Sequence, residues 1–112
     1  YEKSITEMKQ RGKNIGRVFE DIDAFITPTF PRMHMAMSDP PDLTGSHRRF
    51  NIPMSYFGLP CVSINCGFNE NKLPIGLQIV GNRLRESTIL HIAAAFERAT
   101  DYHNLRPPVV WG

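Results

Sequence analysis

Cysteine, histidine, serine and lysine are the side chains through which this sequence could do covalent or metal chemistry, and their spacing argues against most of it. Cys61 and Cys66 lie in a β-branched stretch, where their odd offset puts them on opposite faces and roughly 17 Å apart if extended. A disulfide needs Cα atoms about 4.4–6.8 Å apart, so the two do not bridge there. They are not spaced as CxxC, and His34, His47, His91 and His103 form no HxxxH-type group, so no metal site is expected. Two free thiols suit a reducing cytosol. Nothing beside either in sequence would lower its pKa and make it a nucleophile. The six serines (Ser4, Ser38, Ser46, Ser55, Ser63, Ser87) include no adjacent pair and no flanking glycine run, and the four lysines are Lys3, Lys9, Lys13 and Lys72. A serine hydroxyl is a weak nucleophile until a base takes its proton and backbone N–H groups receive the oxyanion. No motif in the 112 residues supplies those parts; the remaining route is a Ser/His/Asp set brought together by the fold from the chain's own residues, which residue types alone do not specify.

Length and composition narrow the classes further. The 112 residues are 41% apolar and 21% charged, an ordinary globular balance that supports one domain or part of one with a modest core. Thirteen Lys and Arg against 11 acids leave a net charge of +2, too even to steer the whole molecule onto nucleic acid or an anionic membrane. The cluster His47-Arg48-Arg49 has no interleaved aromatic platform, so no nucleic-acid partner is expected. The longest apolar run, Ile92 to Phe96, falls far short of the roughly 20 residues a membrane span needs, so no membrane partner is expected either. A cytoplasmic location follows from these readings. An amphipathic start at Tyr1 without a signal region points to a piece of something longer.

The elements are read from periodicity. Ile5, Met8, Ile15, Val18, Phe19 and Ile22 keep close to a 3.6 repeat and predict a first helix, weakened by Gly12 and Gly16. Ala24 to Thr27 reads as a short buried strand closed by Pro28. Phe30 to Arg49, with Pro31, Pro40 and Pro41, reads as a long loop in which Met33, Met35 and Met37 fill gaps. Phe50 to Phe57 predicts one or two helical turns stopped by Gly58. Cys61 to Asn65 and Ile75 to Val80 read as an antiparallel hairpin, in which Gly76 marks a bulge or a close approach. A final helix begins near Glu86 or Ser87, with Ile89, Ile92, Ala93, Phe96 and Ala99 on one face, and ends before Pro107 and Pro108.

Four segments in order carry a resemblance. Asp23-Ala24-Phe25-Ile26-Thr27-Pro28-Thr29 with Pro31, Gly58-Leu59-Pro60-Cys61-Val62-Ser63-Ile64, and Leu73-Pro74-Ile75-Gly76-Leu77-Gln78-Ile79-Val80-Gly81 are the first three. The fourth is Ala95 to His103 followed by Arg106-Pro107-Pro108. Together they resemble the C-terminal quarter of the amidase signature family, with Asn65 standing where the family usually has proline. The resemblance implies an α/β fold, the C-terminal part of a mixed sheet flanked by helices, in the order helix, strand, long loop, short helix, β-hairpin, helix. It makes residues 1–112 a C-terminal fragment of an amidase-type domain.

The family hydrolyses carboxamide C–N bonds with a Ser-Ser-Lys set carried on a segment upstream of this quarter, and without metal or organic cofactor. No catalytic residue is therefore assigned here, and the chain alone is expected to be inactive. The resemblance places Thr29, Phe30, Phe50 and Asn51 at the acyl pocket of a small-molecule amide substrate. Members that serve as the glutaminase-type subunit of tRNA-dependent amidotransferases tend to have an acid two positions before the Phe50 equivalent, where this chain has Arg48. A cation there repels a substrate ammonium and favours an aryl, alkyl or acyl amide. The alternative is a non-catalytic module that pairs through exposed strand edges as a homo-oligomer or strand-swapped dimer.

Overall fold

The computed structural model describes residues 2–32, 38–40 and 45–106, His47 by its backbone only. The methionine trio and Pro107–Pro108 lie outside the described residues. The elements are α1 (Glu2–Ile15), β1 (Ala24–Pro28), α2 (Ile52–Phe57), β2 (Cys61–Phe68), β3 (Pro74–Gly81) and α3 (Glu86–Ala99), with 3₁₀ turns at Gly16–Phe19, Ser46–Arg48 and Tyr102–Asn104. The first helix is shorter than its periodicity predicts. At Gly16, a poor helix former, the α-helix gives way to a single 3₁₀ turn.

The strands form one antiparallel sheet in the order β1-β3-β2. The expected hairpin is present, and β1 adds to the free edge of β3, which makes β3 the central strand. Its residues Gln78, Ile79, Val80 and Gly81 are all buried, as expected of a strand covered on both faces. Side chains alternate between two layers. Ile64 and Ile79 meet Ile89 and Ala93 of α3, with Ala24, Val62, Leu77 and Phe96 around them. On the opposite face Val80 packs with Met54 and Leu59, ringed by Ile15, Phe19, Phe25 and Phe57. Fully burying side chains such as Ile79 and Val80 stabilises a fold by about 1.5–3 kcal/mol each. The face predicted for α3 is confirmed at Ile89, Ala93 and Phe96, whereas Ile92 is at its margin and Ala99 is exposed.

Two backbone details set up the site. Gly58 takes φ 64° at the end of α2 and donates its N–H to the Met54 and Ser55 carbonyls, a left-handed closure that costs glycine no Cβ clash. This turns the chain from α2 into β2 within three residues. In β2 the register slips between Asn65 and Gly67, so Cys66 is an extra residue opposite the Gly76–Ile75 step. The irregularity that Gly76 announces is therefore on the neighbouring strand.

Candidate functional site

The polar residues of the sheet gather on the face covered by α2. Thr27, Gln78 and Ser63 stand abreast across the three strands. Above them, toward the apolar layer, the same face carries Phe25, Val80 and Cys61. Below them come Thr29, Gly76 and Asn65; Thr29 extends the β1 ladder by donating its N–H to the Gly76 carbonyl at 2.9 Å.

Gly76 leaves the centre of that lower row empty. Thr29 and Ser63 lean into the gap from the two outer strands, and their hydroxyls share a hydrogen bond at 2.5 Å over the central strand. A Cβ at Gly76 would lie 2.7 Å from Thr29 Oγ1 and 3.1 Å from Ser63 Oγ. Glycine is thus required here by close approach, its backbone lying outside the left-handed region.

The segment ahead of α2 is bound onto this polar end. Asn51 Nδ2 donates to the Thr29 carbonyl at 3.1 Å, and Gln78 Nε2 donates to the Phe50 carbonyl at 3.0 Å and to Thr27 Oγ1 at 3.3 Å. Beside it runs a groove of about 500 Å³ lined by Arg48, Asn51, Ile52, Ser55 and Tyr56. Its walls are mostly apolar, and Arg48 is the one charged residue type among the described residues that line it. Of the four residues assigned to the pocket from sequence, the fold bonds Asn51 directly to the Thr29 carbonyl, while the adjacent Phe50 is tied to the sheet through Gln78. Phe30 is 54% exposed.

Sequence reading did not single out Ser63 or Gln78. The signal for Gln78 is a lone carboxamide inside the apolar run Ile75–Val80; for Ser63 it is Gly76 on the facing hairpin strand, whose missing side chain leaves the space the hydroxyl enters. Cys61, on the same face, donates weakly to the Leu59 carbonyl at 3.6 Å, and burial pushes its thiol pKa up. That makes it a poorer nucleophile at neutral pH. Among the described residues no three His, Cys, Asp or Glu side chains converge as a metal-binding group.

The family profile described as Amidase matches residues 1–90. The chain belongs to the amidase family. Among curated relatives it is 42% identical over 95 residues to a glutamyl-tRNA(Gln) amidotransferase subunit from Synechococcus sp. (strain JA-3-3Ab), a match that covers 83% of this chain and 18% of that protein. It is 37% identical over 107 residues to the corresponding subunit from Bacillus thuringiensis (strain Al Hakam), covering 92% and 22%. The chain thus spans about a fifth of the length of these amidase relatives.

Solved structures agree on the fold. The glutamyl-tRNA(Gln) amidotransferase subunit of Thermotoga maritima superposes with a TM-score of 0.77 at 29% identity, over 90% of this chain and 23% of that one. 6-Aminohexanoate cyclic dimer hydrolase gives 0.77 at 27% identity, over 93% and 25%. The α/β architecture expected from the resemblance is the one found, with all three described strands antiparallel.

Proposed function

We propose that this chain forms the rim of the acyl pocket in an amidase that hydrolyses carboxamide C–N bonds, and that the reacting serine and its base come from elsewhere in that enzyme. The observation that carries the reading is the Asn51–Thr29 bond and the adjacent Phe50 carbonyl held by Gln78, beside an apolar groove, in a chain matched by the amidase profile. Ile52 and Tyr56 give the groove apolar wall for an acyl group, and Asn51 gives a polar carboxamide at its edge. Thr29 and Phe50 supply backbone carbonyls that fix this edge, and Phe30 adds an exposed aromatic surface next to it. The relatives include both a cyclic dimer hydrolase and a glutamyl-tRNA(Gln) amidotransferase component. Arg48 in the groove wall favours an amide without an ammonium group, because two like charges about 4 Å apart repel by about 4 kcal/mol near a protein surface.

Neither metal nor organic cofactor enters this reading. A cytoplasmic setting is in keeping with the free thiols Cys61 and Cys66, and no helix among the described residues is long and apolar enough to cross a membrane. Pairing of two copies through strand edges draws no support from the relatives. The test is turnover of simple aryl and alkyl amides by the purified 112 residues and by the chain within its complete amidase domain. The first is expected to be silent and the second active. Turnover by the 112 residues alone, lost on mutating Ser63 or another of their own serines, would overturn the proposal.

A further inference from the structure

Gln78 is the buried polar side chain among the described residues, 4% exposed in the middle of the central strand. An apolar side chain would fill that volume without the desolvation cost of a carboxamide. What distinguishes the glutamine is where its Nε2 protons go. One returns to its own sheet at Thr27 Oγ1, and the other reaches the carbonyl of Phe50, in a segment that has no strand of its own to hold it. That segment lies between the 3₁₀ turn Ser46–Arg48 and α2, and its backbone bonds are local, Arg49 N–H to Ser46 and Asn51 N–H to Arg48. Gln78 and the Asn51–Thr29 bond together clasp it to the sheet from two sides.

We infer that Gln78 is a positioning residue for the acyl-pocket rim: by holding the Phe50 carbonyl it fixes Asn51 and the Arg48 side of the groove at the height where substrate is bound. It touches no substrate itself. The inference rests on the amidase reading above, and its consequence is specific. Loosening the clasp weakens acyl binding while leaving the distant reacting groups in place, so KM moves and kcat does not.

The experiment uses the chain within its complete amidase domain, with an aryl amide as probe. Gln78→Met keeps volume and removes both donors. It is expected to raise KM about tenfold with kcat little changed, and to speed hydrogen exchange at the Arg49 and Asn51 amides by a similar factor while α3 amides stay protected. Gln78→Glu adds a pH readout that a filler role would not produce. Its protonated carboxyl can still donate one hydrogen bond to the Phe50 carbonyl; the ionised form cannot and repels it. Burial holds that carboxyl's pKa above its ordinary value. The KM of Gln78→Glu relative to wild type is therefore near one at acidic pH and climbs as pH rises through that pKa, whereas the Gln78→Met ratio is flat. Unchanged exchange at Arg49 and Asn51 in Gln78→Met would overturn the clasp. Faster exchange with KM and kcat untouched, or a pH-independent Gln78→Glu ratio, would overturn the positioning role. A wild-type enzyme without turnover on any carboxamide would sink the amidase reading instead, and exchange at the rim would still decide the clasp.

Discussion

Replacing Gly76 by alanine is the sharpest test of how the polar end of the sheet is built. The added methyl would stand 2.7 Å from Thr29 Oγ1, 3.0 Å from Thr29 Cβ and 3.1 Å from Ser63 Oγ. Thr29 Cβ is fixed by a backbone held through the ladder bond from Thr29 N–H to the Gly76 carbonyl; the hydroxyl can leave only by rotating about χ1, which gives up its bond to Ser63. Overpacking of this kind costs about 1–3 kcal/mol. Separating the two hydroxyls forfeits their hydrogen bond, about 0.5 kcal/mol for a pair open to solvent. Against this, alanine restricts the unfolded chain and returns about 0.4–1 kcal/mol. The balance is a destabilisation of about 0.5–3 kcal/mol. Denaturant unfolding of Gly76→Ala, Thr29→Ala and the double variant provides the assay. Thr29→Ala removes the nearest atom, so the double variant should be more stable than the sum of the singles by about 1 kcal/mol. Additivity within about 0.5 kcal/mol, or a neutral Gly76→Ala, would refute the reasoning.

Two further outcomes follow from the same packing. Gly12→Ala would bring a Cβ within 2.8 Å of Arg83 Nη2, the mobile end of a side chain that donates twice to the Phe57 carbonyl. Alanine gains about 1 kcal/mol of helix propensity while the exposed guanidinium contact is weakened, so thermal unfolding should register a change within about 1 kcal/mol of zero; a larger loss would show that Arg83 has nowhere to move. The Cys61 thiol, its pKa raised by burial, should alkylate more slowly at mildly alkaline pH than a small free thiol. Because the folded state keeps this proton longer than the unfolded one, its contribution to stability is intact below the unfolded pKa and declines as pH rises past it. Alkylation faster than the free thiol would contradict that sign.

Periodicity was enough for the elements whose partners are local. The hairpin of β2 and β3 and the helix α3 are written in alternation and in the spacing of Ile89, Ala93 and Phe96. Gly58 likewise announces the end of α2 by its type alone. What local pattern does not contain is the strand order. That β1 joins the outer edge of β3 depends on residues some fifty positions apart, and only this pairing makes β3 central, buries Gln78 and brings Thr29 across from Ser63. The family resemblance supplied Thr29, Phe50 and Asn51 as neighbours without saying what binds them together. The bonds through Gln78 and over Gly76 are tertiary facts, invisible to a reading that runs along the chain. The truncation of α1 at Gly16 is a smaller case, since apolar spacing continues through Val18 and Phe19 although the backbone has already tightened.

On the proposed reading, the topology leaves the polar end of the sheet open on one side. α3 packs over β2 and β3, and β1 is left at the edge, where Ile26 faces the α3 layer yet remains 62% exposed. Leu90 and Ile92 on α3 and Ile52 on the groove side are exposed as well. Edge strands and apolar rows of this kind are ordinarily covered, and the relatives are long enough to supply the cover, since this chain spans about a fifth of them. The clasped segment sits at the β1 side, bonded to the Thr29 carbonyl, so on the proposed reading protein laid against β1 would lie next to the groove beside Asn51. Closure excludes water and strengthens every polar contact inside. A rim fixed by Gln78 from below and walled by the remainder of an amidase domain from the side would meet both requirements of an acyl pocket, defined shape and low polarity, which the open groove of these residues meets only in part.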